Sequence, residues 1–248
     1  MEPVFNHPWD LSEADAIELQ KTLAKKVIQN DQLNEITYIA GIDVAYSEHN
    51  DTLVAAIVIL EACSLKIVET VVVEDVVHFP YIPGLFSFRE LPPVVKAFKK
   101  LTIIPDLVVC DGQGRAHPRR CGLASHLGVL FDIPTIGCGK TNLLGEYAEP
   151  DRTRGSYSPL LSDDEIIGNV LRTQDSIKPI YVSIGHRISL ATAREWILKL
   201  SPRYRLPETT RQADQLVRES IGDLDLCFEF IKRAGMLGPF VFFFYMYF

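Results

Sequence analysis

The chain has 248 residues, 47% of them hydrophobic, and carries a net charge of −7 with a pI near 5.4. That size accommodates one α/β domain or two small ones. The acidic balance excludes a protein whose bulk charge attracts nucleic acid, so any polyanion must be met by a local basic patch or by metal ions. No stretch reaches the length of a membrane helix, and no membrane partner is expected.

Five cysteines (Cys63, Cys110, Cys121, Cys138 and Cys227) are scattered without a C-x-x-C pair. The start, Met-Glu-Pro-Val-Phe-Asn, has neither a basic n-region nor an apolar h-region. Together these features predict reduced, mostly buried thiols in a cytoplasmic protein.

Residues 13–30 read as an amphipathic helix, capped by Ser12, with a stripe of Ile17, Leu19, Leu23, Val27 and Ile28. Trp9, just before it, reads as a packing residue. Three β-branched runs follow at 36–45, 53–60 and 66–77, and their short connections predict an antiparallel meander. In the first, Asp43 interrupts an apolar run. It is either an edge residue facing solvent or a buried charge that needs a partner or a metal.

The loop 78–85 holds Phe79-Pro80-Tyr81-Ile82-Pro83-Gly84-Leu85. Two prolines stiffen it. Tyr81 either covers the core or projects outward as a wedge between bases. A helix over 86–100 follows, with Glu90 near its start as a surface acid or a ligand. Its terminal Lys96, Lys99 and Lys100 complement the helix dipole.

An apolar strand at 107–111 ends on Asp111, followed by Gly112 and Gly114 and then by Arg115, His117, Arg119 and Arg120. A carboxylate at the carboxyl end of a buried strand lies where open α/β sheets bind ligands. The pattern reads as a metal site beside a phosphate-binding surface, or as a turn-capping aspartate with a solvated basic loop. A helix at 120–132 and a strand at 134–138 complete a parallel crossover unit. Gly137 and Gly139 bracket the end of that strand, and Lys140 follows on the same sheet edge as Asp111. Gly-Cys-Gly-Lys-Thr lacks the P-loop's first glycine, because position 134 is proline.

Residues 145–164 read as turn-rich. Strands at 166–172 and 180–184, a helix at 190–200 and a last helix at 209–220 follow. His186 reads as polar packing or as a ligand. Asp214 sits at helical spacing from Arg211 and Arg218, which makes surface ion pairs its simplest role. Residues 239–248 are apolar and aromatic throughout, too few to span a bilayer. With no repeat or linker, the prediction is one catalytic domain over 1–225 and an apolar tail over 226–248.

Meander, strand, helix, strand is the layout of an RNase H-like mixed sheet, α/β in class and flanked by helices. There the first and fourth strands are neighbours, which would bring Asp43 beside Asp111. Adjacent carboxylates repel unless a cation lies between them, and hard oxygen donors favour Mg²⁺ or Mn²⁺. Phosphodiester hydrolysis is the natural use of such a site.

Several long motifs then carry a resemblance. They are Gly-Ile-Asp43-Val-Ala-Tyr-Ser, Pro80-Tyr81-Ile82-Pro83-Gly84-Leu85-Phe-Ser-Phe-Arg-Glu90 and Cys-Asp111-Gly112-Gln-Gly-Arg-Ala-His117-Pro-Arg-Arg. To these are added Gly-Leu123-Ala-Ser-His-Leu-Gly, Lys140, Tyr-Val-Ser-Ile-Gly-His-Arg-Ile-Ser at 181–189 and Leu-Pro-Glu-Thr-Thr-Arg-Gln-Ala-Asp214. In order, from about residue 7 to 220, the sequence resembles the endonuclease V family.

The resemblance implies a metal-dependent endonuclease for hypoxanthine, the deaminated form of adenine. It would cut the second phosphodiester 3′ to the lesion and leave a 5′-phosphate. Asp43, Glu90 and Asp111 would bind Mg²⁺, for which Mn²⁺ would substitute, and Asp214 would complete the site. His117 would position water or metal, and Lys140 would contact phosphate. Pro80, Tyr81, Ile82 and Pro83 would form the wedge, and Gly84, Leu85, Gly112, Leu123 and Gly137 the base pocket. The implied partner is DNA containing deoxyinosine, or alternatively RNA containing inosine, met by a monomer. The cysteine before Gly139 departs from the family's usual small or aliphatic residues, and nothing beyond residue 221 has a counterpart.

Overall fold

A computed structural model describes residues 1–47 and 49–233. Eight strands form one mixed sheet: β1 (Tyr38–Tyr46), β2 (Thr52–Glu61), β3 (Ile67–Val76), β4 (Leu107–Asp111), β5 (Thr135–Gly139), β6 (Tyr157–Ser162), β7 (Glu165–Leu171) and β8 (Ile180–His186). Their spatial order is β3-β2-β1-β4-β5-β8-β7-β6. The helices are α1 (Glu13–Ala24), α2 (Phe86–Lys100), α3 (Leu123–Phe131), α4 (Leu190–Leu200) and α5 (Glu208–Arg233). Among the described residues no helix is long and apolar enough to cross a membrane.

The expected meander is present, with β1–β2 and β2–β3 both antiparallel. The crossover through α3 makes β4 and β5 parallel, and β1 pairs in parallel with β4, with Ile42 opposite Cys110. Asp43 and Asp111, one residue further on, are therefore side by side.

Strand alternation divides the core into two layers. Ala40, Ile42, Val108 and Cys110 face α2 and α3, where Leu91, Phe98, Leu127 and Phe131 pack. Ile39, Leu107 and Val109 belong to the opposite layer with α4. Ala213 and Val217 of α5 cover Val54, Ala56 and Val58. Asp43 and Asp111 share the parity of Ile39, Leu107 and Val109, so they face the side of the sheet that α5 covers.

Some expected boundaries shift. The first helix ends at Ala24 rather than 30, because the Ile28 amide donates to His186 Nδ1 at 3.2 Å and its carbonyl accepts from the Arg187 amide at 2.7 Å. The helix expected at 120–132 spans Leu123–Phe131. Part of the turn-rich segment is the edge strand β6, whose Pro159 is tolerated because edge strands can spare a ladder donor. The last helix extends past 220 to Arg233 and so includes the start of the segment expected as a tail. Residues 234–248, with the aromatic run at 239–248, lie outside the described residues.

Gly41 fixes the seat of α5. A Cβ there would lie 2.1 Å from the Thr209 carbonyl oxygen, so helix backbone rests directly on strand backbone. Gly41→Ala is expected to cost about 2 kcal/mol or more, as overpacking against backbone does. A melting curve measures the loss, and unchanged stability would show that α5 can shift freely.

Candidate active site

The carboxylates of Asp43 on β1, Asp111 on β4 and Asp214 on α5 each offer an oxygen, all within 4.8 Å of one another. The Lys140 ammonium, just after β5, lies 2.5 Å from Asp111 and 3.4 Å from Asp214. Arg218 also pairs with Asp214, at 2.8 Å, whereas Arg211 pairs with Glu208 instead. Asp214 thus combines the expected surface ion pair with a place in the acid set.

Glu90 approaches from the other face of the sheet. It is buried on α2 and accepts a hydrogen bond from the Tyr46 hydroxyl at 3.2 Å. It lies outside the three-acid set, yet the charges of Asp43 and Asp111 reach it.

The electrostatics are those of acids short of positive charge. Burial and then Asp111 push the Asp43 carboxyl up to about 7. Burial and then Asp43 raise Glu90 well above the ordinary range. Burial also raises Asp111, against the pull of Lys140. Asp214 is held low: burial opposes this, but Arg218 and Lys140 prevail. Burial opposes the Lys140 charge too, and Asp111 keeps that ammonium firmly protonated.

The basic cluster after Asp111 is largely turned to internal use. Arg115 and Arg120 both pair with Glu165. Arg119 donates to the Gly84 carbonyl at 2.7 Å. His117 is pushed down to about 4 by burial and then by Arg119, so its imidazole is neutral. Its Nδ1 accepts from the Arg119 amide, leaving Nε2 to donate to the Gly84 carbonyl at 3.0 Å. The cations directed at the acids are Lys140 and, from α5, Arg218, and the expected phosphate-binding surface at 115–120 is mostly a structural knot.

The 80–85 loop adjoins this knot. Tyr81 is 71% exposed, while Ile82 packs against Phe79, Leu85 and Phe88. Gly84 takes φ +80°, a conformation that favours glycine. Gly112 lies against Leu123 at the start of α3, where an added Cβ would meet Leu123 Cδ2 at 3.3 Å. Gly137 sits under the Gly112–Gly114 turn, and its Cβ would come 2.3 Å from the Gly114 nitrogen. Its lack of a side chain lets the turn fold over β5. The structure therefore brings together Gly84 with His117, and Gly112 with Leu123 and Gly137.

The endonuclease V family model matches residues 21–215. The chain belongs to the endonuclease V family. An endonuclease V from Rippkaea orientalis is 51% identical over 212 residues, covering 86% of this chain and 92% of that protein. The solved endonuclease V from Streptomyces avermitilis has a TM-score of 0.84 at 44% identity, covering 87% of this chain and 96% of that one. Endonuclease V from Ciona intestinalis, solved with a 24mer DNA containing an inosine followed by a ribo-adenosine, has a TM-score of 0.75 at 28% identity, covering 85% and 98%. As a member of the endonuclease V family, the protein is an endonuclease.

Around this endonuclease V site, several supporting residues escaped the sequence reading. Tyr46 orients Glu90, and the Arg89 guanidinium stacks 4.9 Å from the Tyr46 ring. Arg205 Nη2 donates to the Lys140 carbonyl at 2.7 Å. Ser183 Oγ accepts from the Gly114 amide at 2.8 Å. Tyr46 had a legible signal, since it lies on alternate residues from Ile42 and so faces the α2 side. The Arg205 and Ser183 contacts join distant segments and had none. His186 packs internally: its Nε2 lies 3.1 Å from Asp132. Trp9 stacks on His126 at 5.7 Å, as a packing residue should.

The raised Asp43 pKa has a consequence for stability. Folding lifts it from 3.8 to about 7, so the stability of the protonated form is full below 3.8 and is lost as the pH rises through 7. In chelator, Asp43→Asn is expected to stabilise the protein near pH 8, on the order of a few kcal/mol, with the gain shrinking toward about pH 4. Melting at both pH values checks this, and an equal gain at each would assign the cost to packing instead of charge.

Proposed function

We propose that the protein is a Mg²⁺-dependent endonuclease that recognises deoxyinosine in DNA and hydrolyses the second phosphodiester on its 3′ side, initiating repair. The observation that carries the reading is the convergence of Asp43, Asp111 and Asp214 beside Lys140, with the exposed Tyr81 on a stiff neighbouring loop.

The donor set fits a hard divalent cation. Carboxylate oxygens are the ligands such ions take, and the two cations that meet the acids, Lys140 and Arg218, are outnumbered by them once Glu90 is included. Asp43 and Asp111 would hold Mg²⁺ together with Glu90 and Asp214, and Mn²⁺ would substitute. When bound, the ion supplies positive charge that favours water ionisation and offsets charge on the departing oxygen.

The chain's own groups do the rest. Lys140 has two carboxylate partners and is positioned to turn its ammonium to a phosphate oxygen near the cut. His117, neutral and tied to Gly84, orders the pocket wall as well as any water beside it. Tyr81 fills the gap left by the displaced base. Gly84, Leu85, Gly112, Leu123 and Gly137 receive that base through close backbone approach. Water's oxygen bonds to phosphorus as the P–O3′ bond breaks, giving a 3′-hydroxyl and a 5′-phosphate.

All these residues come from one chain, so a monomer suffices. Cys110, Cys121 and Cys138 are buried free thiols, which suits the reducing cytoplasm. Inosine in RNA is the second reading, motivated by the ribonucleotide that follows inosine in the Ciona complex.

End-labelled single strands bearing one deoxyinosine or one inosine, incubated with Mg²⁺ or with chelator, test the proposal. A Mg²⁺-dependent nick one nucleotide beyond deoxyinosine is expected, and faster cutting of the RNA would transfer the assignment. Asp111→Ala should slow nicking about a thousandfold, or about 4 kcal/mol of transition-state stabilisation, while lesion binding persists. Retained turnover would remove Asp111 from the site. For Tyr81→Ala, lesion selection should fall more in duplex than in single strands, where unstacking is already complete. Equal losses on the two substrates would sink the wedge.

A further inference from the structure

The wedge loop is held by a side chain to which neither sequence motif nor acid site points. Gln20, on α1, is fully buried. Its Nε2 donates to the carbonyls of Gly84 at 3.0 Å and Cys121 at 2.6 Å. Its Oε1 accepts from Arg119 Nε. Arg119 Nη2 and His117 Nε2 donate to the same Gly84 carbonyl, at 2.7 and 3.0 Å. One carbonyl oxygen thus receives three donors, at the residue that ends the loop with φ +80°.

The loop's other end is also tied. Arg89 Nη1 donates to the Phe79 carbonyl at 3.0 Å, and Phe79 itself is buried. Between these anchors Ile82 packs inward and Tyr81 stands 71% exposed. A wedge that must part stacked bases does so only if its base is rigid, because a yielding loop spends binding energy on its own ordering.

We propose that Gln20 is a positioning residue for lesion recognition, which sets the Gly84 end of the wedge loop directly and through Arg119. The inference rests on the deoxyinosine reading and on the wedge role of Tyr81. Gln20 touches no reacting atom in this scheme. Because Gly84 also borders the base pocket, which both substrates use, the part of Gln20's effect that reports on the wedge is the excess loss on substrates that must be opened: paired deoxyinosine needs the wedge, and an unpaired strand does not.

The test is steady-state nicking of deoxyinosine in duplex and in single strands by the full chain and its Gln20→Met variant, which keeps volume and loses all three hydrogen bonds. The expected result is a KM for duplex raised about tenfold, with kcat on both substrates and KM on single strands within about twofold of the parent. Equal changes on both substrates, or none, would overturn the proposal. If Gln20→Met does not melt cooperatively, Arg119→Lys, which keeps charge but lacks the fork, carries the same measurement and the same two outcomes. Tyr81→Ala run alongside separates the failures. A duplex-specific loss there without one in the Gln20 or Arg119 variant overturns this inference alone. No duplex-specific loss there overturns the wedge reading, and this inference with it.

Discussion

Everything at the site depends on the repulsion between Asp43 and Asp111. The parallel pairing of β1 with β4 forces the two carboxylates onto one face of adjacent strands. Neither can turn away, because each is the continuation of an apolar strand buried against helices. Burial would neutralise them by protonation if nothing else intervened. Lys140, delivered by the next parallel strand, relieves part of the strain. The remainder is stored as an affinity for positive charge, which is what a hydrolytic metal site requires.

The rest of the molecule keeps that arrangement from relaxing. The two faces of the sheet supply different partners: α5 brings Asp214 and Arg218 to the face that carries the aspartates, and α2 brings Glu90 from behind. Tyr46 and Arg89 brace Glu90, while Arg205 ties down the backbone at Lys140. The same helix α2 follows directly on the 80–85 loop, so that loop and Glu90 share one rigid element.

Much of this was legible in the amino-acid order because it is local. Asp43 and Asp111 each break an apolar run, and a meander followed by a crossover matches the RNase H-like layout, in which the strands that carry them are neighbours. What stayed hidden depends on distant pairs. The charges at 115–120 read as a phosphate surface, yet Arg115 and Arg120 are claimed by Glu165 on a strand far along the chain. Val27 and Ile28 continue a helical stripe, but the backbone of Ile28 is taken by His186 and Arg187. Asp214 looked like a helix-surface ion pair and is one. Its place among the acids, which spacing alone does not give and the family resemblance implied, has its physical basis in α5 lying across β1. Pro159 concealed β6 because a proline counts against a strand unless the strand is known to be an edge.

The contact of Gly41 with Thr209 also has a meaning in time. Most of the chain's length separates these two residues, and their close approach seats α5 where Asp214 reaches the aspartate of β1. During synthesis the meander and crossover can assemble as they emerge, presenting Asp43 and Asp111 early. The third acid arrives only after α5 has left the ribosome and settled on the glycine. A partly made chain therefore holds two of the three aspartates and no complete site, so an enzyme that cuts nucleic acid acquires its full acid set last.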